Sequence, residues 1–534
     1  MASTELLATA GRLLSQGTWF EAEIAARNAM AEDPTDPQAA LLAGLAIAAM
    51  GEHARAAPVL VLAATFAPEA DHPCLDLARF KPPLPRALVA RQFRACLRLT
   101  PNDNRLLLAF AGFLLDNDQA EAAEQVLKDA AESAACHHLR GLAQAEQNLF
   151  PSSIDSFERA VALQPDLAAS WSNLGMVRKV EGLFAAAIAA HDRAVALEPG
   201  NPRFRVNRAV ALLKAGQWEE GWSDYEARWE LTGALGFDPA RLMPTLRPND
   251  GLAGQTILAL HEDGFGDTLQ FLRYLPLLAD RGARVVACVP PALGRLMQSV
   301  PGVAEVVTDS RSPPPYDFIC PMFSLPRVFG TTVQTIPPMP ALVPDEASQR
   351  RWKGRLPVGG LRTGLVWAGQ ARPSLPGFGT LDKRRSAGLA AFGPLFDVPG
   401  VEFISLQAGP AARDAWPPGQ QYIDPMRDVK DFAGTAAIIA GLDVVVSVDT
   451  SVVHLAGLMG KPVFLLDRYD GCWRWLSGRR DSPWYPDLTI FRQERPGDWS
   501  GPMAAVAASL HAMALFHGFV TSQPGNMRER AFVA

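Results

Sequence analysis

The chain has 534 residues, of which 48% are hydrophobic and 20% charged, and its formal net charge at pH 7 is −6. This is the composition of a folded rather than a disordered protein, and at about 100–200 residues per domain the length predicts several domains. The charge is slightly acidic and lacks long blocks of one sign, which excludes the electrostatic surface expected of a nucleic-acid-binding protein.

The N-terminal sequence MASTELLATAGRLLSQ lacks the basic segment and the purely apolar stretch of a secretory signal. The longest apolar runs, such as LLLAFAGFLL, are too short to cross a bilayer, so we predict no membrane span and a cytoplasmic location. The six cysteines form no CxxC pair and have no histidine at zinc spacing, which favours reduced, buried thiols.

The first part of the chain repeats itself at a shift of 34 residues, which aligns Gly17 with Gly51 and Asn173 with Asn207. Each copy has the pattern of two amphipathic helices joined by a turn. The period and the N-L-G and A-V-A-L-x-P patterns resemble tetratricopeptide repeats, which implies an α-solenoid of about six repeats over residues 1–235.

A solenoid of this kind has a concave groove that can bind a peptide or a partner protein, so we interpret it as a recruiting element. It could instead only dimerise the chain or extend the scaffold. The last helical segment, Gly221–Leu231, places Trp222, Tyr225 and Trp229 on one helical face, and we expect this face to dock onto the next domain.

From residue 255 onward, strand-like and helix-like segments alternate. The strands TILALHE, ARVVACV, AEVVT and YDFICP lie in residues 250–348, and LRTGLVWAG, VEFISLQ, DVVVSV and KPVFLL lie in residues 355–520. This alternation predicts an α/β module of two Rossmann-like lobes, each a parallel sheet with helices on both faces, and a ligand cleft at the carboxyl ends of the strands. Residues 521–534 are predicted to form a flexible tail.

The segment DVVVSVDTSVVHLAGLMG places Asp449, Thr450, Ser451 and His454 where a strand ends and a helix begins. The N–H groups and the positive end of a helix N-terminus, together with two hydroxyls, suit a diphosphate. Asp449 or Thr450 could instead cap the helix, as such residues often do. Capping does not account for His454.

In the first lobe, the segment HEDGFGDTLQF holds His261, Gly264, Gly266 and Asp267. The two glycines let the backbone turn from a strand into a helix at little steric cost. Together with the DTSVVHLA segment, it resembles the GT-B glycosyltransferases of the heptosyltransferase-like family (family 9), over roughly residues 250–518.

In that family a D-[ST]-G-x-x-H-x-A segment cradles the diphosphate of a nucleotide sugar. It matches Asp449, Thr450, His454 and Ala456 here, and Ser451 stands where the family has glycine. The resemblance thus implies that these residues bind the donor.

The resemblance also gives Gly266 and Asp267 the place of the family's G-D pair, in which the aspartate activates the acceptor hydroxyl. A base must come within hydrogen-bond reach of that hydroxyl, and Asp267 after the first strand could do so. His261 and Gly264 would support this loop. Direct displacement by the activated acceptor would invert the anomeric centre.

The segment LDKRRSAGLAAF holds Lys383, Arg384, Arg385 and Ser386, shortly after the first strand of the second lobe. In the resembled family this loop carries basic residues that bind phosphate, so we expect these four residues to bind the nucleotide sugar and the three basic ones to neutralise the leaving nucleoside diphosphate. The alternative is a solvated surface loop.

The segment GCWRWLSGRR holds Trp473 and Arg474 after the last strand, where they could stack on the base or cover the cleft. The alternative for Trp473 is packing between the lobes. Trp484 and Tyr485, in a proline-bracketed turn, are interpreted as structural.

Residues 250–518 contain no D-x-D triplet of the kind that holds a metal ion against a diphosphate, which favours a metal-independent reaction without a cofactor. We therefore predict an inverting glycosyltransferase that moves a sugar from a nucleoside diphosphate sugar to an acceptor protein or glycan recruited in part by the repeats. A lipid acceptor is a further possibility. The alternative is an inactive scaffold that binds a nucleotide or a protein partner.

Overall fold

The computed structural model describes residues 2–68, 70–79, 83–231, 237–344, 346–370 and 378–522. The chain divides into two compact units, Met1–Glu181 and Gly182–Ala534. The first unit is helical and the second carries two parallel sheets. The predicted order, an array of helices followed by parallel sheets with helices, is confirmed.

The first unit consists of helices that mostly pair with their neighbours in the chain. They are Ala2–Ser15, Trp19–Glu32, Pro37–Ala49, His53–Phe66, Cys74–Ala78, Arg86–Leu99, Asn104–Leu115, Ala120–Leu127, Ala134–Glu146, Phe150–Leu163 and Ala168–Val180. Glycines at the seams let paired helices approach closely. A Cβ on Gly44 would lie 2.5 Å from Leu60 Cδ2, and one on Gly141 would lie 2.8 Å from the Phe157 ring. A larger residue at either seam would push the two helices apart.

The turns within helix pairs share a residue with left-handed backbone. Within the part of the chain that the structure describes, these residues are Gly17 (φ 80°), Gly51 (83°), Asp118 (57°), Asn148 (63°), Gly182 (76°) and Gly216 (84°). Asn148 lies 34 residues before Gly182, so the degenerate middle copies keep the turn after losing the glycine. Asn and Asp are the non-glycine residues that tolerate this conformation best.

The second unit begins with four more helices, Phe184–Leu197, Pro202–Ala215, Trp218–Tyr225 and Arg228–Leu231. Its strands are β1 Thr256–Leu260, β2 Arg284–Cys288, β3 Val303–Val307, β4 Phe318–Pro321, β5 Leu361–Val366, β6 Val401–Ser405, β7 Tyr422–Ile423, β8 Val444–Val448, β9 Val463–Asp467 and β10 Leu488–Arg492. The α-helices between and after them are Phe265–Phe271, Leu275–Asp280, Pro291–Met297, Leu325–Val328, Glu346–Lys353, Phe378–Arg385, Gly393–Phe396, Phe432–Ala440, Ser451–Leu458 and Ser500–Ser522.

The strands form a four-stranded sheet of order β3-β2-β1-β4 and a six-stranded sheet of order β10-β9-β8-β5-β6-β7. All neighbouring strands in both sheets are parallel. The eight predicted strands are present, whereas β7 and β10 were not predicted. We refer to the region around the first sheet as the first lobe and to that around the second as the second lobe.

One face of the four-stranded sheet departs from the prediction. It is lined by Leu258, Val286, Cys288 and Ile319 and packs against Phe237, Leu242 and Tyr316. These last three residues lie in non-helical segments, so the prediction of helices on both faces is wrong for this sheet. The connection from β3 to β4 spans residues 308–317 and contains three consecutive prolines, which leaves no room for a crossover helix.

The long C-terminal helix, Ser500–Ser522, is apolar over Ser500–Phe519, with a mean hydropathy of 1.3. By length and composition this stretch could cross a membrane, so the expectation that every apolar run is too short is wrong here. Met503, Val506 and Leu510 on this helix are buried in the core of the second lobe, whereas the apolar stretch as a whole is only 22% buried. Most of the predicted tail, residues 523–534, lies outside the described residues.

Candidate functional site

The second-lobe segment predicted to bind a diphosphate lies at the carboxyl end of β8. Thr450 is the N-cap residue of helix Ser451–Leu458 and has extended backbone, but no side chain caps this helix among the described residues. The Thr450 hydroxyl instead lies 3.1 Å from the Ser447 hydroxyl. Asp449, Thr450 and Ser451 are partly exposed. The capping alternative is therefore wrong for Thr450, and the positive end of the helix is left without a side-chain acceptor.

His454 is buried one turn into this helix, with 4% of its surface exposed. Its Nδ1 lies 2.9 Å from the Tyr485 hydroxyl, and its ring stacks on Trp475 with centroids 5.5 Å apart. Burial, followed by the nearby positive charge of Arg474, lowers the pKa of His454 to about 3. The imidazole is thus neutral at physiological pH and can donate or accept one hydrogen bond without adding charge.

Sequence reasoning interpreted Tyr485 only as structural, and the His454 contact was missed. The two residues are 31 positions apart, and a proline-bracketed turn is a common structural feature. Gly457 permits the arrangement, because a Cβ there would lie 2.6 Å from the Tyr485 ring. The glycine one turn after the histidine is the signal that could have indicated a close aromatic neighbour.

The first-lobe segment starts at the carboxyl end of β1. His261 donates its backbone N–H to Cys288 O at 2.9 Å, and its Nδ1 lies 2.7 Å from the Thr268 hydroxyl. Asp263 has left-handed backbone with φ 56°, after which Gly264 precedes helix Phe265–Phe271. These contacts tie the loop to β2 and to the start of the helix, as a supporting role for His261 requires.

Gly266 brings the two segments together. A Cβ at this position would lie 2.9 Å from His454 Cδ2 and 3.5 Å from Ser451 Cα. Its backbone is not left-handed, so the need for glycine comes from this close approach rather than from the turn. The interpretation of Gly266 as a residue that eases the passage from strand to helix is therefore incomplete.

Gly266→Ala is expected to lower the free energy of unfolding by about 1–3 kcal/mol, because the added methyl group overpacks the contact with His454. Denaturant unfolding of the purified protein would measure this. Gly393→Ala is the matched control, since a Cβ at Gly393 meets no atom within 4 Å. Equal effects of the two substitutions would show that the contact between the segments is loose.

Asp267 lies in the first turn of helix Phe265–Phe271, and both of its carboxylate oxygens are engaged. One accepts the Gly264 N–H at 3.0 Å, and the other forms an ion pair with the guanidinium of Arg474 from the second lobe. The Asp267 side chain is 19% exposed and that of Arg474 11%. Burial raises the pKa of Asp267, and the negative charges of Asp263 and Asp449 add to this, while Arg474 opposes it.

Arg474 therefore meets the predicted base rather than a free cleft. Its Nε donates to Gln270, one turn after Asp267, and its guanidinium stacks over Trp473 at 4.5 Å. Trp473 is only 5% exposed, and its ring packs edge-on against Trp222 at 5.2 Å. This placement favours the packing alternative for Trp473 over stacking on a nucleotide.

The basic segment predicted to bind phosphate ends helix Phe378–Arg385 and continues past it. Arg385 forms an ion pair with Asp382 at 2.9 Å and lies directly against Gly369. The Ser386 hydroxyl accepts the Gly369 N–H at 3.2 Å. Arg385 and Ser386 thus hold the loop that follows β5.

The other two basic residues of this segment differ in their surroundings. Arg384 reaches Asp470 at 3.4 Å, and Asp470 also accepts a hydrogen bond from Arg468 at 2.6 Å. Arg468 directly follows the carboxyl end of β9, the neighbour of β8, and Asp470 connects Arg384 to it. Lys383 is exposed. Arg384 is consequently the member of the predicted set that is best placed near the strand ends.

Two cavities lie away from these residues. One of about 430 Å³ is lined by Leu361, Asp443, Ala512, Met513, Phe516 and His517. Another of about 340 Å³ is lined by Trp352, Leu356, Arg362, Ala437 and neighbouring residues. Neither includes a predicted site residue, so the candidate site is defined by the convergence of side chains at the two strand edges.

No protein-family model matches the chain. Protein FlbA of Caulobacter vibrioides is 25% identical over 485 residues, which cover 82% of this chain and 78% of FlbA.

Among solved structures, a glycosyl transferase of family 9 from Veillonella parvula matches with a TM-score of 0.37 and 11% identity, over 51% of this chain and 99% of that chain. Pseudomonas aeruginosa PilF matches with a TM-score of 0.29 and 16% identity, over 43% of this chain and 91% of that chain. The fold assignment rests on the helices and sheets of the chain itself.

Proposed function

We propose that this protein is a glycosyltransferase that moves a sugar from a nucleoside diphosphate sugar to an acceptor hydroxyl, with inversion and without a metal ion. One observation carries the proposal. The uncapped N-terminus of helix Ser451–Leu458 closely approaches Gly266, the residue before Asp267, since a Cβ on Gly266 would lie 3.5 Å from Ser451 Cα. A site for an anion and a candidate base thus lie side by side.

In this proposal the donor diphosphate binds at the start of helix Ser451–Leu458. The backbone N–H groups of the first turn and the hydroxyls of Thr450 and Ser451 donate to its oxygens, and the helix dipole stabilises its charge. The buried, neutral His454 behind the first turn adds no charge of its own to the site. Arg384 adds positive charge from the neighbouring strand edge.

The transfer step uses Asp267 as the base. The acceptor oxygen attacks the anomeric carbon, the bond from that carbon to the diphosphate oxygen breaks, and the acceptor proton passes to the Asp267 carboxylate. Charge then accumulates on the leaving nucleoside diphosphate, where the helix N-terminus stabilises it. The burial that raises the pKa of Asp267 also makes it a stronger base than an exposed aspartate.

The acceptor is a protein or glycan, recruited in part by the helical repeats, and the reaction takes place in the cytoplasm. The repeats support this because stacked helix pairs present a continuous surface for an extended partner. The acceptor could also be a lipid. Deleting the first unit would test the recruitment, which requires loss of transfer to the native acceptor while donor hydrolysis is retained.

An inactive scaffold that binds a nucleotide or a protein partner is the second candidate, and one observation favours it. Both carboxylate oxygens of Asp267 are already bonded, to the Gly264 N–H and to Arg474. An acceptor hydroxyl must therefore share an oxygen with one of these donors. Release of nucleoside diphosphate from a bound nucleotide sugar distinguishes the enzyme from the scaffold.

A panel of UDP-, GDP- and ADP-linked sugars is expected to contain at least one compound that raises the thermal unfolding midpoint, because a ligand that binds only the folded state stabilises it. Thr450→Val should then weaken binding of that compound about tenfold through the lost hydrogen bond. Ser509→Ala, which removes a hydroxyl bonded to Ala505 O on the C-terminal helix, is the control and should leave affinity unchanged. If no compound in the panel shifts the midpoint, the nucleotide-sugar proposal fails.

A further inference from the structure

The last helices of the repeat array pack against both lobes of the second unit. On helix Trp218–Tyr225, Trp218 stacks on Trp484 of the second lobe, with ring centroids 5.3 Å apart. Trp222 donates its indole N–H to Thr331 O in the first lobe at 3.1 Å. The predicted docking is confirmed for Trp222 and for Tyr225, which stacks on Phe323 at 4.5 Å, whereas Trp229 lies on a separate short helix and packs against Phe237.

Lys214, at the end of helix Pro202–Ala215, contacts the second lobe through its ammonium group. Its ammonium donates to the backbone carbonyls of Gly471 and Cys472, both at 2.9 Å, and the residue is only 8% exposed. A buried ammonium is costly unless it is hydrogen-bonded, so these two carbonyls are held in place. They begin the short segment that carries Arg474.

Arg228, on the short helix that follows, reaches the first lobe. Its guanidinium donates two hydrogen bonds to the Glu262 carboxylate, from Nε to Oε2 at 3.0 Å and from Nη2 to Oε1 at 2.9 Å. Glu262 also accepts the Phe323 N–H at 2.8 Å. A bidentate pair of this kind fixes geometry as well as charge. Glu262 lies five residues before Asp267, in the loop that leads from β1 into helix Phe265–Phe271.

Lys214 and Arg228 both differ from the residues at the matching positions of the preceding repeat. At the shift of 34 residues, Lys214 aligns with Val180 and Arg228 aligns with Ala194. Ala194 is fully buried. The last copy of the repeat thus places charged residues where the preceding copy has apolar ones, which is a change that packing between repeats alone does not call for.

We infer that Lys214 and Arg228 are positioning residues, which hold from one helical segment the two loops that carry Arg474 and Asp267. Lys214 fixes the second-lobe loop through the Gly471 and Cys472 carbonyls, and Arg228 fixes the first-lobe loop through Glu262. The end of the repeat array therefore sets the distance between the two members of the ion pair that joins the lobes. The effect of this on catalysis rests on the proposed function, whereas the effect on the loops does not.

Amide hydrogen exchange of the full-length protein tests the inference without relying on activity. The reporters in the second-lobe loop are the Trp475 N–H, bonded to Cys472 O, and the Leu476 N–H, bonded to Trp473 O. In the first-lobe loop the reporters are the Gly264 N–H, bonded to the Asp267 carboxylate, and the Asp267 N–H, bonded to Gly264 O. These amides exchange only when their loop opens.

Lys214→Met should accelerate exchange of the second-lobe reporters about ten- to a hundredfold and leave the first-lobe reporters unchanged. Arg228→Gln should produce the reverse pattern. Lys214→Arg, which keeps the donors, should restore slow exchange. Arg205→Gln is the control, because it breaks an exposed ion pair with Glu230 on the same helices and should change neither loop.

The inference is overturned if Lys214→Met leaves Trp475 and Leu476 protected, or if it accelerates exchange uniformly over the second unit, since the latter shows a general loss of stability. If Lys214→Met does not fold, Lys214→Gln, which keeps one amide donor, replaces it in the same comparison. Where sugar transfer is detected, Lys214→Met and Arg228→Gln should each lower kcat at least about tenfold, with the KM for the donor nearly constant. Where the wild-type protein transfers no sugar, the proposed function fails and the exchange pattern alone decides the positioning role.

Discussion

Asp267→Asn is expected to reduce the rate of sugar transfer by about two to four powers of ten, because the amide cannot take up the acceptor proton. Donor affinity should change little, since the base contacts only the acceptor. The amide oxygen can still accept the Gly264 N–H, so the start of helix Phe265–Phe271 keeps its hydrogen bond. Single-turnover transfer assays and donor titrations on the same preparation would measure both quantities.

Asp263→Asn is the matched control. Asp263 is an exposed carboxylate in the same loop, and its left-handed backbone is one that asparagine also adopts readily. It should retain most of the activity. In the wild-type protein, activity should fall as the pH drops through the raised pKa of Asp267, above the range of an ordinary aspartate. Full transfer by Asp267→Asn would rule out Asp267 as the base and leave the ion pair with Arg474 as its role.

Two C-terminal fragments that differ in their first residue should differ in stability. The fragment 182–534 is expected to fold cooperatively, whereas the fragment 236–534 is expected to aggregate or to unfold at a much lower temperature. The longer fragment coincides with the second compact unit. The shorter one begins after residue 235, the predicted end of the solenoid, and loses Trp218 and Trp222, both 2% exposed. Removing a buried tryptophan costs roughly 3–5 kcal/mol, against a typical total stability of about 5–15 kcal/mol.

Circular dichroism melts and size-exclusion chromatography of the two fragments would test this. The shorter fragment also removes Arg228, so the half-buried carboxylate of Glu262 loses its ion pair. Identical melting of the two fragments would show that the last helices are dispensable for the lobes, and it would support a domain boundary at residue 235.

The sequence predicted those parts of the fold that depend on local patterns. β8, with the residues VVVSV, is a fully buried strand and was recognised as an apolar run rich in β-branched residues. β10 was missed because LTIFR is a short segment after the SPWYP turn, and its pairing with β9 is not visible in a local pattern. One face of the first sheet is covered by non-helical segments, and this depends on the connection between β3 and β4, whose length and consecutive prolines decide the outcome.

The candidate site was predictable on each side but not across the lobes. Asp449 and His454 lie within one strand-to-helix turn, so local sequence brings them together. Asp267 and Arg474 are 207 residues apart, and no local pattern indicates their ion pair. Trp473 shows the same difficulty, since a tryptophan that stacks on a ligand and one that packs against Trp222 have the same sequence context.

The contact of Lys214 with the carbonyls of Gly471 and Cys472 also constrains how the chain folds during its synthesis. The acceptors emerge from the ribosome 257 residues after the lysine, and at about 5–20 residues per second this is a delay of roughly 13–50 seconds. The first unit has its own core and can fold in that interval. The last helices cannot, because Trp218 stacks on Trp484 of the second lobe, so the nascent chain carries an uncovered tryptophan face until the second sheet is translated.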